Sequence, residues 1–146
     1  MSAIGSYAVV SRKGFQLAID RAREVGTAEF AAAWGDALVQ EQDFGYSGYV
    51  LGNYIDAQEM INGVKLVDEG SEVSTLLAKV FTAGFAFEER VSLPELTQEK
   101  LLDYGREEYG EEDAPGFAEA VTAAHSFYQH GLAEITTDNI VVFLIK

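Results

Sequence analysis

Apolar residues recur along the chain in two rhythms, one helical and one strand-like. Tyr7-Ala8-Val9-Val10-Ser11 reads as a short strand, ended by Arg12-Lys13 and Gly14. Phe15, Ile19 and Ala22 then share one face of a helix expected from about Phe15 to Val25, with Gly26 closing it. Thr27 is the expected N-cap of a second helix, with Glu29 in its first turn. Its apolar positions Phe30, Ala33, Trp34, Ala37 and Leu38 follow the i, i+3, i+4, i+7, i+8 spacing, which puts Trp34 on a buried stripe.

From Glu41 to Asn53 the pattern dissolves. Asp56 with Glu59 resembles a capping box and predicts a short helix from there to Gly63. Val64 to Val67 reads as a brief strand or a connector. Ser71 caps the next helix, where Val73, Leu76, Leu77, Val80 and Phe81 repeat the helical spacing and Gly84 marks the end. A strand is expected at Phe85–Phe87 or at Arg90–Leu93. Ser92 or Thr97 caps a further helix carrying Leu96, Leu101 and Leu102, weakened by Gly105. After an acidic loop, Gly110 to Gly116, a last helix from about Phe117 to Gln129 presents Phe117, Val121, Ala124 and Tyr128 on one face, and Gly131 ends it.

The chain finishes with Ile140-Val141-Val142-Phe143-Leu144-Ile145, an unbroken apolar run that suits a strand buried on both faces. The expected fold is therefore α+β. It is a single small domain, residues 1–146, with the terminal strands paired in a small central sheet and about five helices packed on it.

Composition supports one ordered domain. Of 146 residues, 48% are hydrophobic and 23% charged, close to globular averages. No cysteine is present, which excludes disulfides, thiol chemistry and thiolate metal sites and fits a reducing compartment. The N-terminus lacks the basic head and apolar run of a signal peptide. The run Ile140–Ile145 is far short of the roughly 20 residues that span a bilayer. A soluble, cytoplasmic protein is expected.

Charge sharpens the picture. The net value is −14, and it is uneven. Through Val25 the basic residues Arg12, Lys13, Arg21 and Arg23 outnumber Asp20 and Glu24, whereas the remainder carries a balance of −16. Lysine and arginine are absent from Glu24 to Val64 and from Glu107 to Ile145. A surface of this kind repels nucleic-acid phosphates and anionic lipids and attracts a basic protein. The plainer alternative is that the acidity serves solubility alone.

The inventory for chemistry is thin. His125 and His130 are five residues apart, about 140° around an ideal helix, so they do not share a metal. His125 is expected half-buried and hydrogen-bonded, and His130 near the last carbonyls of its helix. Glu107, Glu108, Glu111, Glu112 and Asp113 form the densest acidic cluster, but without the alternation and central glycine of an EF-hand loop they read as solvated. Asp56 and Glu59 are better explained as a cap than as a glycosidase pair. Gly45-Tyr46-Ser47-Gly48 only approaches a nucleophile elbow, and Gly45, Gly48 and Gly52 are misplaced for a dinucleotide turn or a P-loop. No catalytic, cofactor-binding or metal site is expected.

One segment rises above background. Phe44, Tyr46, Tyr49 and Tyr54 lie among glycines and beside Glu41, Asp43 and Asp56, a composition suited to partner contact through aromatic anchors. The same aromatics could instead fold back over the edge of the core.

Parts of the chain resemble the YfbM-like family of small bacterial proteins of unknown function. The similarity lies in the Ile4-Gly5-Ser6-Tyr7-Ala8 start, Phe30…Ala33-Trp34…Ala37-Leu38, and Glu72-Val73…Leu76-Leu77 followed by Leu96…Leu101. It continues in the ending Phe127-Tyr128…Gly131…Val141-Val142-Phe143-Leu144. The segment from Glu41 to Val67 departs from the pattern. The resemblance implies an α+β fold and carries over no active site.

The functional expectation is thus an acidic protein-binding module, in the manner of an immunity or inhibitor protein that neutralises a basic toxin or enzyme. Its contact residues would come from Asp43, Phe44, Tyr46, Tyr49, Tyr54 and Asp56 and from the Glu107–Asp113 cluster. The alternative is a small-ligand protein or enzyme with a pocket beside Trp34 and Tyr46–Tyr54, using Asp43, Asp56 or His125. A structural subunit of a homo-oligomer is a third reading, and the oligomeric state is left open.

Overall fold

A four-stranded antiparallel sheet lies between two layers of helices in the computed structural model, which describes residues 3–45, 48–67 and 71–146. The elements run β1 (Gly5–Ser11), α1 (Arg12–Val25), α2 (Thr27–Ala37), β2 (Leu38–Asp43), α3 (Gly48–Asn62), α4 (Glu72–Val80), β3 (Ala83–Phe87), α5 (Gln98–Tyr109), α6 (Ala114–Leu132) and β4 (Asn139–Ile145). The sheet order is β2-β1-β4-β3. The first and last strands therefore form its centre, paired in register from Gly5 with Ile145 to Ser11 with Asn139.

Alternation along the central strands separates two cores. Tyr7, Val9, Val141 and Phe143 point to one side, where α3, α5 and α6 cover them with Tyr54, Leu101, Val121 and Tyr128. Ala8, Val10, Ile140, Val142 and Leu144 point to the other, where α1, α2 and α4 supply Phe15, Phe30, Trp34 and Leu77. The apolar run 140–145 is buried on both faces because each face has its own helix layer.

Local signals account for most boundaries. The Ser11 hydroxyl accepts from the Gly14 amide and starts α1 directly behind β1, so Arg12, Lys13 and Gly14 form a first helical turn instead of a break. Gly26, at φ 110°, closes α1 and also precedes α2; Thr27 is the first helical residue and not the expected cap. Ser71 and Thr97 cap α4 and α5 through the amides of Ser74 and Lys100. Gly84 lies within β3, which occupies the first of the two expected strand positions, and Arg90–Leu93 has no strand.

Three elements differ from expectation. α6 begins at Ala114, within the expected acidic loop, and runs through Gly131 to Leu132, so Gly131 is a buried helical residue and not the end of the helix. Leu38–Asp43 is a strand, although Gln40-Glu41-Gln42-Asp43 carries no apolar alternation. It borders the sheet, where all its residues after Leu38 are exposed on both faces, and the register slips by one residue opposite Val9 and Val10. Asp56 starts no helix: α3 begins at Gly48, and Asp56 is exposed in its middle. Gly63, at φ 66°, does end that helix as expected. Among the described residues no helix is long and apolar enough to cross a membrane.

Candidate functional site

The residues singled out for partner contact separate into three environments. Tyr54 is fully buried and offers no surface to a partner. Its hydroxyl accepts from Gln58 Nε2 at 3.0 Å and lies 2.9 Å from Nδ1 of the half-buried His125. Burial pushes the Tyr54 phenol up to about 12 and lowers the basicity of His125. Neutral His125 then accepts a hydrogen bond from the Tyr54 hydroxyl at Nδ1, so His125 is the half-buried, hydrogen-bonded histidine expected. His130 instead presents its ring to the edge of Tyr7, centroids 6.0 Å apart.

Phe44 and Asp43 belong to a second place. The Phe44 ring stacks on Phe127 of α6 at 5.0 Å, covering the core edge. Asp43 and Glu41 share the ammonium of Lys146, which draws this part of β2 toward neutrality. Tyr46 lies outside the described residues. Trp34 and Tyr54 stand on opposite faces of the sheet, so the pocket expected between them is not formed.

The third environment is exposed helix surface. Tyr49 and Asp56 are exposed and seven residues apart on α3, hence on one face of that helix. Asp56 approaches Tyr104 of α5, whose phenol is raised by burial, then by Glu108, Tyr109 and Asp56. Phe117 of α6 packs against both Tyr104 and Tyr109, with ring centroids 5.4 and 5.2 Å apart. Glu107, Glu108, Glu111, Glu112 and Asp113 surround this aromatic corner and are all exposed. Arg106 is the only cation between Leu101 and Ile145, and it is already engaged by Asp103 and Glu111.

The tight turn that brings α5 and α6 together depends on two glycines. Gly110 adopts φ 93°, and Gly105 lets the backbone of Ala114 approach so closely that a β-carbon would stand 3.0 Å from its Cα. Gly105, expected to weaken α5, instead permits this packing, and Tyr104 and Tyr109 join the site although no motif singles them out. The signal is present: Tyr104 and Phe117 flank the acidic run and Tyr109 lies within it.

Chemically, the corner offers carboxylates around half-exposed aromatic faces, a combination that receives guanidinium or ammonium groups through ion pairing and cation–π contact. Among the described residues no cluster of three or more His, Asp or Glu side chains is arranged to hold a metal ion. Comparison with protein-family models, with curated proteins and with solved structures gave no match.

Proposed function

We propose that the chain is an acidic protein-binding module that docks a basic partner on the α5–α6 corner. The observation that carries this reading is the aromatic group Tyr104–Phe117–Tyr109 set inside a rim of carboxylates, of which Glu111 is paired with Arg106. Tyr109 is 49% exposed, large and apolar-faced, which suits it as an anchor, while the surrounding charges steer the approach. A module of this kind inhibits a basic toxin or enzyme by covering the cationic surface that its target needs. The absence of cysteine suits the reducing cytosol, which supports placing the encounter there.

The test is affinity capture from an extract of the producing cell, using wild type beside Tyr109→Ala and the pair Glu108→Lys with Glu112→Lys. A basic protein retained by wild type at low salt, weakened at moderate salt and lost by both variants is the expected result. Retention of no basic protein, or equal retention by the variants, refutes the reading.

A further inference from the structure

On the opposite side of the sheet from the acidic corner, α1 and α2 form an antiparallel hairpin about Gly26. The start of α1 meets the end of α2: a β-carbon on Gly14 would stand 2.9 Å from Cβ of Ala37. Along the outer face of α1 run Lys13, Leu17 and Arg21, at i, i+4 and i+8. Along the outer face of α2 run Glu29, Ala32, Ala33 and Asp36. A groove of about 450 Å³ lies between these two rows and is lined by both.

Two features set this face apart. Arg12 is bound to the carbonyl oxygens of Thr136 and Glu88, and Arg23 to Glu72 and Asp20, yet Lys13 and Arg21 form no ion pair among the described residues. Glu29 and Asp36 form none either. Leu17, 54% exposed, stands midway along the cationic row, opposite the small side chains Ala32 and Ala33.

We infer that this hairpin face is a homodimer interface, with a second copy of the chain as its occupant. The charge pattern selects the symmetry. A two-fold axis lying in the interface and perpendicular to the helices sets α1 on α1, which places cation on cation and acid on acid. An axis parallel to the helices sets each α1 on the partner copy's α2. Because the hairpin is antiparallel, Lys13 then meets Asp36 and Arg21 meets Glu29, reciprocally in both directions. Leu17 of each copy enters the groove over Ala32 and Ala33, where small residues permit close approach.

Net charge opposes this arrangement only weakly. The hairpin from Arg12 to Ala37 carries four basic and four acidic residues, and the like-charged corners sit beyond the far side of each sheet. Screening at physiological salt acts over about 8 Å, so the contact pairs are felt while the distant repulsion is largely screened. The footprint is small. With α1 about 21 Å long, two helices side by side cover about 400 Å² as a flat face. That falls below the roughly 800 Å² per partner typical of stable complexes. The dimer is accordingly reversible and concentration-dependent.

Sedimentation velocity on the full chain over a broad concentration range tests this. Wild type is expected to pass from monomer to dimer. K13E/R21E alone and E29K/D36K alone are expected to remain monomeric, because each face then carries one sign. An equimolar mixture of the two is expected to form a heterodimer. All four positions are exposed, and circular dichroism verifies that the variants keep their helices. Wild type that stays monomeric, variants that dimerise like wild type, or a mixture that does not associate overturns the inference.

Discussion

The Tyr54 hydroxyl lies 2.9 Å from Nδ1 of His125 and ties the middle of α3 to the middle of α6. Burial makes His125 less basic in the folded protein than in the unfolded chain. The unfolded state therefore takes up the proton first. Stability is unaffected by this group above the ordinary histidine value of about 6.5 and falls as the pH drops below it. Urea unfolding of wild type and His125→Gln at pH 8 and pH 5.5 measures the effect. The expected outcome is a larger loss on acidification in wild type than in the variant.

Tyr54→Phe removes the one hydroxyl that both Gln58 and His125 use. Gln58 is fully buried, and its amide would lose a partner inside a closed core. A loss of about 1–3 kcal/mol is expected for stranding such a group, read as a lower urea midpoint with an unchanged slope.

Two glycine substitutions should act in opposite directions. At Gly131 a β-carbon would stand 2.5 Å from Cζ of Phe143. That ring is held by stacking on Tyr128 at 4.7 Å and by the edge of Phe87, so it cannot turn away. Gly131→Ala is expected to cost about 1–3 kcal/mol through overpacking. Gly35 is exposed within α2 and faces open space, and Gly35→Ala is expected to stabilise by roughly 0.5–1 kcal/mol. Thermal unfolding of both variants checks the contrast.

Trp34 is 7% exposed and packed among Phe15, Phe30 and Phe81. As the only tryptophan, it reports on the α1–α2–α4 layer alone. Its emission should be that of an apolar site in the native state and shift to the red on unfolding. Trp34→Ala is expected to cost about 3–5 kcal/mol.

The elements legible in the sequence are those whose side chains meet one unambiguous environment. Ile140–Ile145 could only be a strand covered twice, and Phe30 with Trp34 could only be an inward helix face. Their pairing partners followed from there being a strand near each end. The edge strand β2 was illegible because no helix covers either of its faces, so Gln40 to Asp43 are exposed and have no need of apolar residues. Asp56 imitated a cap because carboxylates are so common here that capping spacing arises by chance. Tyr54 looked like a surface aromatic, since glycine-rich surroundings hide a helix that starts early and turns this residue inward.

The candidate site was half legible for a related reason. Its carboxylates are consecutive in sequence and easily seen. Its aromatics are not: Tyr104 and Phe117 come together only because α5 and α6 fold back at Gly110. Asp56 reaches them from a third helix. Which side of the sheet a helix covers is not written in its own periodicity, and so Trp34 and Tyr54 were wrongly placed beside one cavity.

Pairing of Gly5–Ser11 with Asn139–Ile145 has a consequence for how the protein comes into being. The innermost ladder needs a strand that leaves the ribosome only after every helix has been made. Helices and the α1–α2 hairpin can form during synthesis, but both apolar layers wait for a shared floor. Assembly of the native state is therefore a late, non-local event, and nascent chains halted before residue 139 should remain bound by chaperones and open to proteases.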